Sequence, residues 1–109
     1  MATAYKVLGQ VAPSATTATA LYTVPSATSA VVSSVTVCNR AASAGTFRLA
    51  VRPNGATLAN EHYVVYDTSI VANDTVVLTI GLTLDAADVL EVYASSADMS
   101  FNAYGSEIS

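Results

Sequence analysis

Charge is what this sequence has least of. Four basic and eight acidic residues make up 11% of the chain, against about 25% in an average soluble domain. The bases, Lys6, Arg40, Arg48 and Arg52, are scattered and outnumbered, and the net charge is −4. Nucleic acid is excluded as a ligand on that ground, because phosphate recognition needs a clustered basic face. Cysteine is almost missing as well. Cys38 stands alone, so no internal disulfide forms and folding rests on apolar burial and backbone hydrogen bonds. No segment approaches the roughly 20 apolar residues of a membrane-spanning helix. The start, "MATAYKVLGQ", lacks the basic and apolar regions of a secretory signal. The expectation is a soluble chain made in the cytoplasm, with no membrane partner.

The residue types of catalysis and metal binding are also sparse. His62 is the only histidine, in "NEHYVVY". One His and one distant Cys have no zinc-ligand spacing, so His62 is read as a side chain making an ordinary hydrogen bond where a strand begins. No G-x-S-x-G elbow activates any of the serines. Cys38 reads as a small buried hydrophobe near a strand end. "DAAD" at 85–88 offers oxygen ligands without the acid spacing of a calcium loop, and Asn73, Asp74 and Thr75 form a sequon that reads as a turn. No catalytic residue, metal site or cofactor is expected, and the chain is read as a non-enzyme.

What is present is alternation. In "TFRLAVR", Phe47, Leu49 and Val51 share one parity and Arg48 and Arg52 the other, the two-residue period of a strand with one wet face. The same pattern puts Val76, Leu78 and Ile80 inward in one strand, Leu90, Val92 and Ala94 in another, and Met99, Phe101 and Ala103 in a third. Pro, Gly, Asn and Asp punctuate the segments, at "VPSATS", "PNG", "AND" and "DAAD" among others, and these residues reverse a chain at low cost. The predicted strands are 4–11, 18–24, 30–39, 46–52, 62–67, 74–80, 88–95 and 98–104, and the Ala-rich stretch 12–20 is read as loop because Pro13 and its threonines disfavour a helix. An all-β fold follows: an antiparallel β-sandwich or jelly-roll-like flattened barrel of about eight strands. One domain spans 1–109, with residues 1–17 as an N-terminal arm plus the first strand.

The outward faces then decide how the molecule meets others. Along 30–38, Val31, Val35 and Val37 share one parity and Val32, Ser34, Thr36 and Cys38 the other. With the first set in the core, the second is a small, uncharged surface. Strand edges are normally guarded by charge, which this chain has little of, so part of its exterior is expected to be covered by another subunit. A specific interface takes about 800 Å² from each partner. Tyr63, Tyr66, Tyr93 and Tyr104 add amphipathic rings suited to such contacts. The candidate interface residues are Val32, Thr36, Arg48, Tyr63, Tyr66, Tyr93 and Tyr104.

Three stretches carry a resemblance. "LYTVPSATSAVVSSVTVCNR", "TFRLAVRPNG" and "DTVVLTIGLTLDAADVLEVYASSADMSFNAYGSEIS" together resemble small β-sandwich virion structural proteins of tailed bacteriophages. The matching residues are Tyr22, Thr23, Val24 and Pro25, then Asn39, then Asp88, Leu90, Val92, Ala94 and Ser95, then Gly105, Glu107 and Ile108. The resemblance implies a sandwich that assembles on the particle without a cofactor. Its first expectation is a head decoration or cement protein, a homotrimer bound to the major capsid protein or another virion protein and located on the virion after synthesis in the host cytoplasm. Alternatives are a tail, collar or fibre component contacting the host, and a carbohydrate-binding module using the tyrosines.

Overall fold

The computed structural model describes residues 2–109. Nine strands run in order: β1 Thr3–Val11, β2 Thr19–Thr23, β3 Ser29–Asn39, β4 Gly45–Arg52, β5 Tyr63–Ile70, β6 Thr75–Leu78, β7 Leu82–Leu84, β8 Val89–Ala94 and β9 Met99–Ile108. No α-helix occurs among the described residues, and the loop between β4 and β5 holds two single-turn 3-10 segments. All pairings are antiparallel and nested: β1 with β9, β2 with β8, β3 with β6 and β7, β4 with β5. Further pairing of β9 with β3 and of β8 with β4 assembles two sheets. Sheet I has the order β1-β9-β3-β6, with β7 also on β3, and sheet II the order β2-β8-β4-β5. With β6 and β7 counted as one interrupted strand, this is a long hairpin of eight strands rolled into a sandwich, the jelly-roll arrangement.

Of the expected turns, two place Asn or Gly in a left-handed backbone, whereas "VPSATS" and "DAAD" place Ala27 and Ala87 there, φ 55° and 69°. Asn54, Gly55 and Asn73 all have φ between 53° and 68°, in "PNG" and "AND". Stretch 12–18 is loop, and β2 starts at Thr19. The inward parities of β4, β8 and β9 are as the alternation predicts: Phe47, Leu49, Leu90, Val92, Ala94, Met99, Phe101 and Ala103 are all buried. Phe47 of sheet II meets Phe101 of sheet I edge to face, ring centroids 6.2 Å apart, in the favoured geometry for aromatic pairs.

β3 departs from the prediction. Val32 is fully buried (0% exposed) and is therefore not an interface residue, whereas Val31 is half-buried on the outside. The cause is a register shift against β9 between Val32 and Ser34. This bulge inserts one extra residue and exchanges inside for outside along the strand. Beyond it Val35 and Val37 point inward as expected. The same irregularity divides the neighbouring edge. β6 pairs with Val35–Cys38 and β7 with Ala30–Val32, leaving the bulged serines without a partner on that side. The predicted strand 74–80 consequently stops at Leu78. Ile80, expected inward, is 37% exposed. Cys38 is half-buried on the outer side of β3 and is not a core residue.

Candidate functional site

The two outer faces of the sandwich differ in chemistry. Outside sheet II, Arg48 of β4 stands opposite Tyr93 of β8. Its guanidinium carbon lies 4.2 Å from the ring centroid of Tyr93 and 4.2 Å from that of Tyr66. Asp67 holds the same group at both ends, Nε donating to Oδ1 at 2.7 Å and Nη2 to Oδ2 at 3.3 Å. Tyr63 meets Tyr66 edge to face at 4.8 Å.

Local backbone structure brings these residues together. Between the pairs Phe47–Thr68 and Leu49–Val65, the single residue Arg48 faces two residues of β5, Tyr66 and Asp67. Asp67 takes a left-handed conformation, φ 51°, which Asp tolerates better than most residues. The bulge thus aims two consecutive side chains at one guanidinium, the re-aiming role bulges commonly play. Beside the stack, Arg52 and Glu91 form a second ion pair, Nε 2.9 Å from Oε2. Arg52 Nη1 also donates to the carbonyls of Gly55 and Ala56. A cleft of ≈ 20 Å³ lined by Arg48, Leu58, Tyr63, Glu91 and Tyr93 among others has room for about one water.

Outside sheet I the exterior is of another kind. Strand pleating and register place Tyr5, Val7 and Gln10 of β1 there, with Ser100, Asn102, Tyr104 and Ser106 of β9. β3 adds Val31, Ser34, Thr36 and Cys38, β6 adds Thr75 and Val77, and β7 adds Thr83. None is Asp, Glu, Lys, Arg or His. Thr36 sits at the middle, between Asn102 and Val77, and Gln10 Nε2 donates to Asn102 Oδ1 at 2.7 Å in the same row. Tyr5 is 86% exposed and Val77 60%. Arg40 reaches this face only at one end, where Nε donates to Ser100 Oγ at 2.9 Å.

The sequence candidates therefore divide. Arg48, Tyr63, Tyr66 and Tyr93 converge in one cluster on sheet II, Thr36 and Tyr104 share the face of sheet I, and Val32 belongs to the core. The partner missing from the candidates is Asp67. Its role depends on a bulge that alternation does not reveal, although its neighbours Tyr63 and Tyr66 mark the spot.

The residues behind the resemblance mostly hold the fold together. Tyr22 Oη donates to Glu107 Oε2 at 2.5 Å, and Lys6 Nζ donates to Glu107 Oε1 at 3.1 Å, linking the two sheets at their rim. Val24 and the "DAAD" turn exchange backbone bonds, Val24 N to the Asp88 carbonyl and Ala87 N to the Val24 carbonyl, each 3.0 Å. The Asp88 carboxylate accepts the backbone N–H of Asn54 and of Asp85, each at 2.8 Å, so it caps turns. Among the described residues no three His, Cys, Asp or Glu side chains converge as metal ligands. His62 Nδ1 accepts the backbone N–H of Ala59 at 3.1 Å, an ordinary cap on a 3-10 turn.

The Tyr22–Glu107 bond makes stability pH-dependent. The Tyr22 hydroxyl and then Lys6 hold the Glu107 carboxyl below its usual value. A carboxyl depressed in the folded state stabilises above its unfolded pKa, and that contribution disappears as pH falls through the folded value. Burial, followed by the neighbouring carboxylate, raises the Tyr22 phenol. A phenol held high stabilises below its ordinary pKa of about 10 and loses that contribution above it. Tyr22→Phe is therefore expected to cost about 1–2 kcal/mol at pH 7. Urea midpoints should show this loss shrinking below about pH 4, and a pH-independent loss would contradict the charge-assisted bond.

Comparison with known proteins adds no relative: no family model matches the sequence. No curated protein matches it either.

Proposed function

We propose that the protein is a structural, non-enzymatic component of a tailed-bacteriophage particle. It acts as a head decoration or cement protein that binds the outside of the capsid as a homo-oligomer and contacts the major capsid protein or another virion protein. The observation that carries this reading is the Tyr66–Arg48–Tyr93 stack clamped by Asp67. Tyr and Arg dominate binding hot spots, and here they are fixed on strands before any partner arrives, which reduces the entropy lost on docking. Low charge, a jelly-roll scaffold and the resemblance described above add to it. The carbohydrate-binding alternative is weakened because Tyr66 and Tyr93 each give one ring face to the guanidinium.

The test is to label purified particles with an antibody against this chain and image them. Label over the head is expected. Label on the tail or collar would move the protein to that structure, and its absence from particles would overturn the proposal. Tyr66→Ala should reduce occupancy on particles at least about tenfold, with circular dichroism unchanged because the ring is 57% exposed.

A further inference from the structure

We infer that the outer face of sheet I is a self-association surface, on which a second copy of this chain docks face to face about a two-fold axis. The inference deepens the homo-oligomer part of the proposed function. It does not depend on where in the particle the protein sits, and it replaces the trimer expected from sequence with a dimer.

Charge distribution is the first support. The chain carries −4 overall, so two copies repel each other through most of their surfaces. Yet the twelve charged residues lie on the outside of sheet II, in loops, or at the sandwich rim. In a two-fold contact each patch meets itself, so an unpaired charge near the axis meets its like. The face centred on Thr36, Asn102 and Val77 has no such group.

Size is the second support. Four strands about 4.8 Å apart and a ten-residue β9 rising about 33 Å give a face of roughly 600 Å² in plan. Side-chain relief adds to that, which brings it close to the roughly 800 Å² per partner of a stable interface. The molecule measures 45 × 27 × 20 Å, so no other single face is larger than the two sheets, and the sheet II face carries two ion pairs.

The edges argue against strand-to-strand joining instead. β5 has two register shifts against β4, β6 and β7 are separated by a break, and β2 is five residues long. β1 carries Lys6 turned toward Glu107 between the sheets. Short, interrupted or charge-bearing edges resist pairing with another chain, which leaves the face.

Sedimentation equilibrium of the purified chain tests this in the absence of any particle. A mass twice the 11.1 kDa of one chain is expected. Val77→Asp, on an edge strand where the side chain is already exposed, should weaken the dimer at least about tenfold by bringing like charges together. Thr36→Asp should do the same, and Val64→Asp, on sheet II, should leave the dimer intact. Circular dichroism checks that each variant folds. A monomer up to about 100 µM, where even weak dimers populate, would overturn the inference. So would a three-fold mass, or a dimer broken by Val64→Asp and not by Val77→Asp. Failure of the particle-labelling experiment would leave this result standing, and a monomer here would leave the particle location open to its own test.

Discussion

Replacing Asn39 with Leu is expected to remove about 3 kcal/mol of stability, close to what emptying a core site does. Asn39 ends β3 and is 1% exposed, the one buried amide or charged side chain among the described residues. Its Nδ2 faces the carbonyls of Ser43, Ile70 and Val71 at 3.0, 3.3 and 3.2 Å, and its Oδ1 accepts the backbone N–H of Ala41 at 3.0 Å. Two amide protons serve three carbonyls, so at least one is shared. One side chain thereby ties the end of β3 in sheet I to the end of β5 in sheet II and to the turn between β3 and β4. Leu fills similar space but leaves buried carbonyls and an N–H without partners, at about 1–3 kcal/mol for each that water does not reach. The thermal midpoint should fall by roughly 12 °C or more. Asn39→Asp adds a sign to the test. A carboxylate among carbonyl oxygens is held above the unfolded pKa of about 3.9, so the variant should be more stable at pH 4 than at pH 7. A midpoint within about 3 °C of the parent for both variants would mean that the loops rehydrate and that the network holds little.

How much of this was legible in the sequence differs strand by strand. β4, β8 and β9 alternate cleanly, and their inward residues follow from parity alone. The segment Val31–Cys38 does not, because valines stand on both parities, and an extra residue at the bulge leaves no mark in hydrophobicity. Parity therefore puts Val32 outside although it is buried, and Ile80 inside although the break beside the bulge ends β6 before it. In the candidate site, the tyrosines and Arg48 were legible as outward residues, but their convergence was not. It depends on β4, β5 and β8 becoming neighbours, and on the left-handed backbone of Asp67. The Tyr22–Glu107 bond spans 85 positions, and only the nested strand order brings its ends together.

Gly105→Ala is expected to be as damaging as the loss of Asn39, for a backbone reason. Gly105 lies on β9, between β1 and β3, paired with Lys6 on one side and Val32 on the other. A Cβ there would lie 1.9 Å from the Val31 carbonyl oxygen and 2.9 Å from its carbon. Those atoms belong to a strand hydrogen-bonded on both sides, so no side chain can turn away to make room. The bulge of β3 at Ser33 lies at this level, and the Ser33 hydroxyl donates to the Tyr104 carbonyl at 3.1 Å. Alanine restricts the unfolded chain and so gains about 0.4–1 kcal/mol, whereas overpacking costs about 1–3 kcal/mol and more where backbone must move. The clash wins, and a net loss of about 3 kcal/mol is expected. Gly81→Ala is the control. Its φ is +41°, but nothing lies within 4 Å of the added Cβ, so it should cost only the left-handed penalty of about 1–2 kcal/mol. Urea unfolding of the two variants gives the ranking, and Gly81→Ala proving the more harmful would show that β3 and β9 can separate there without loss.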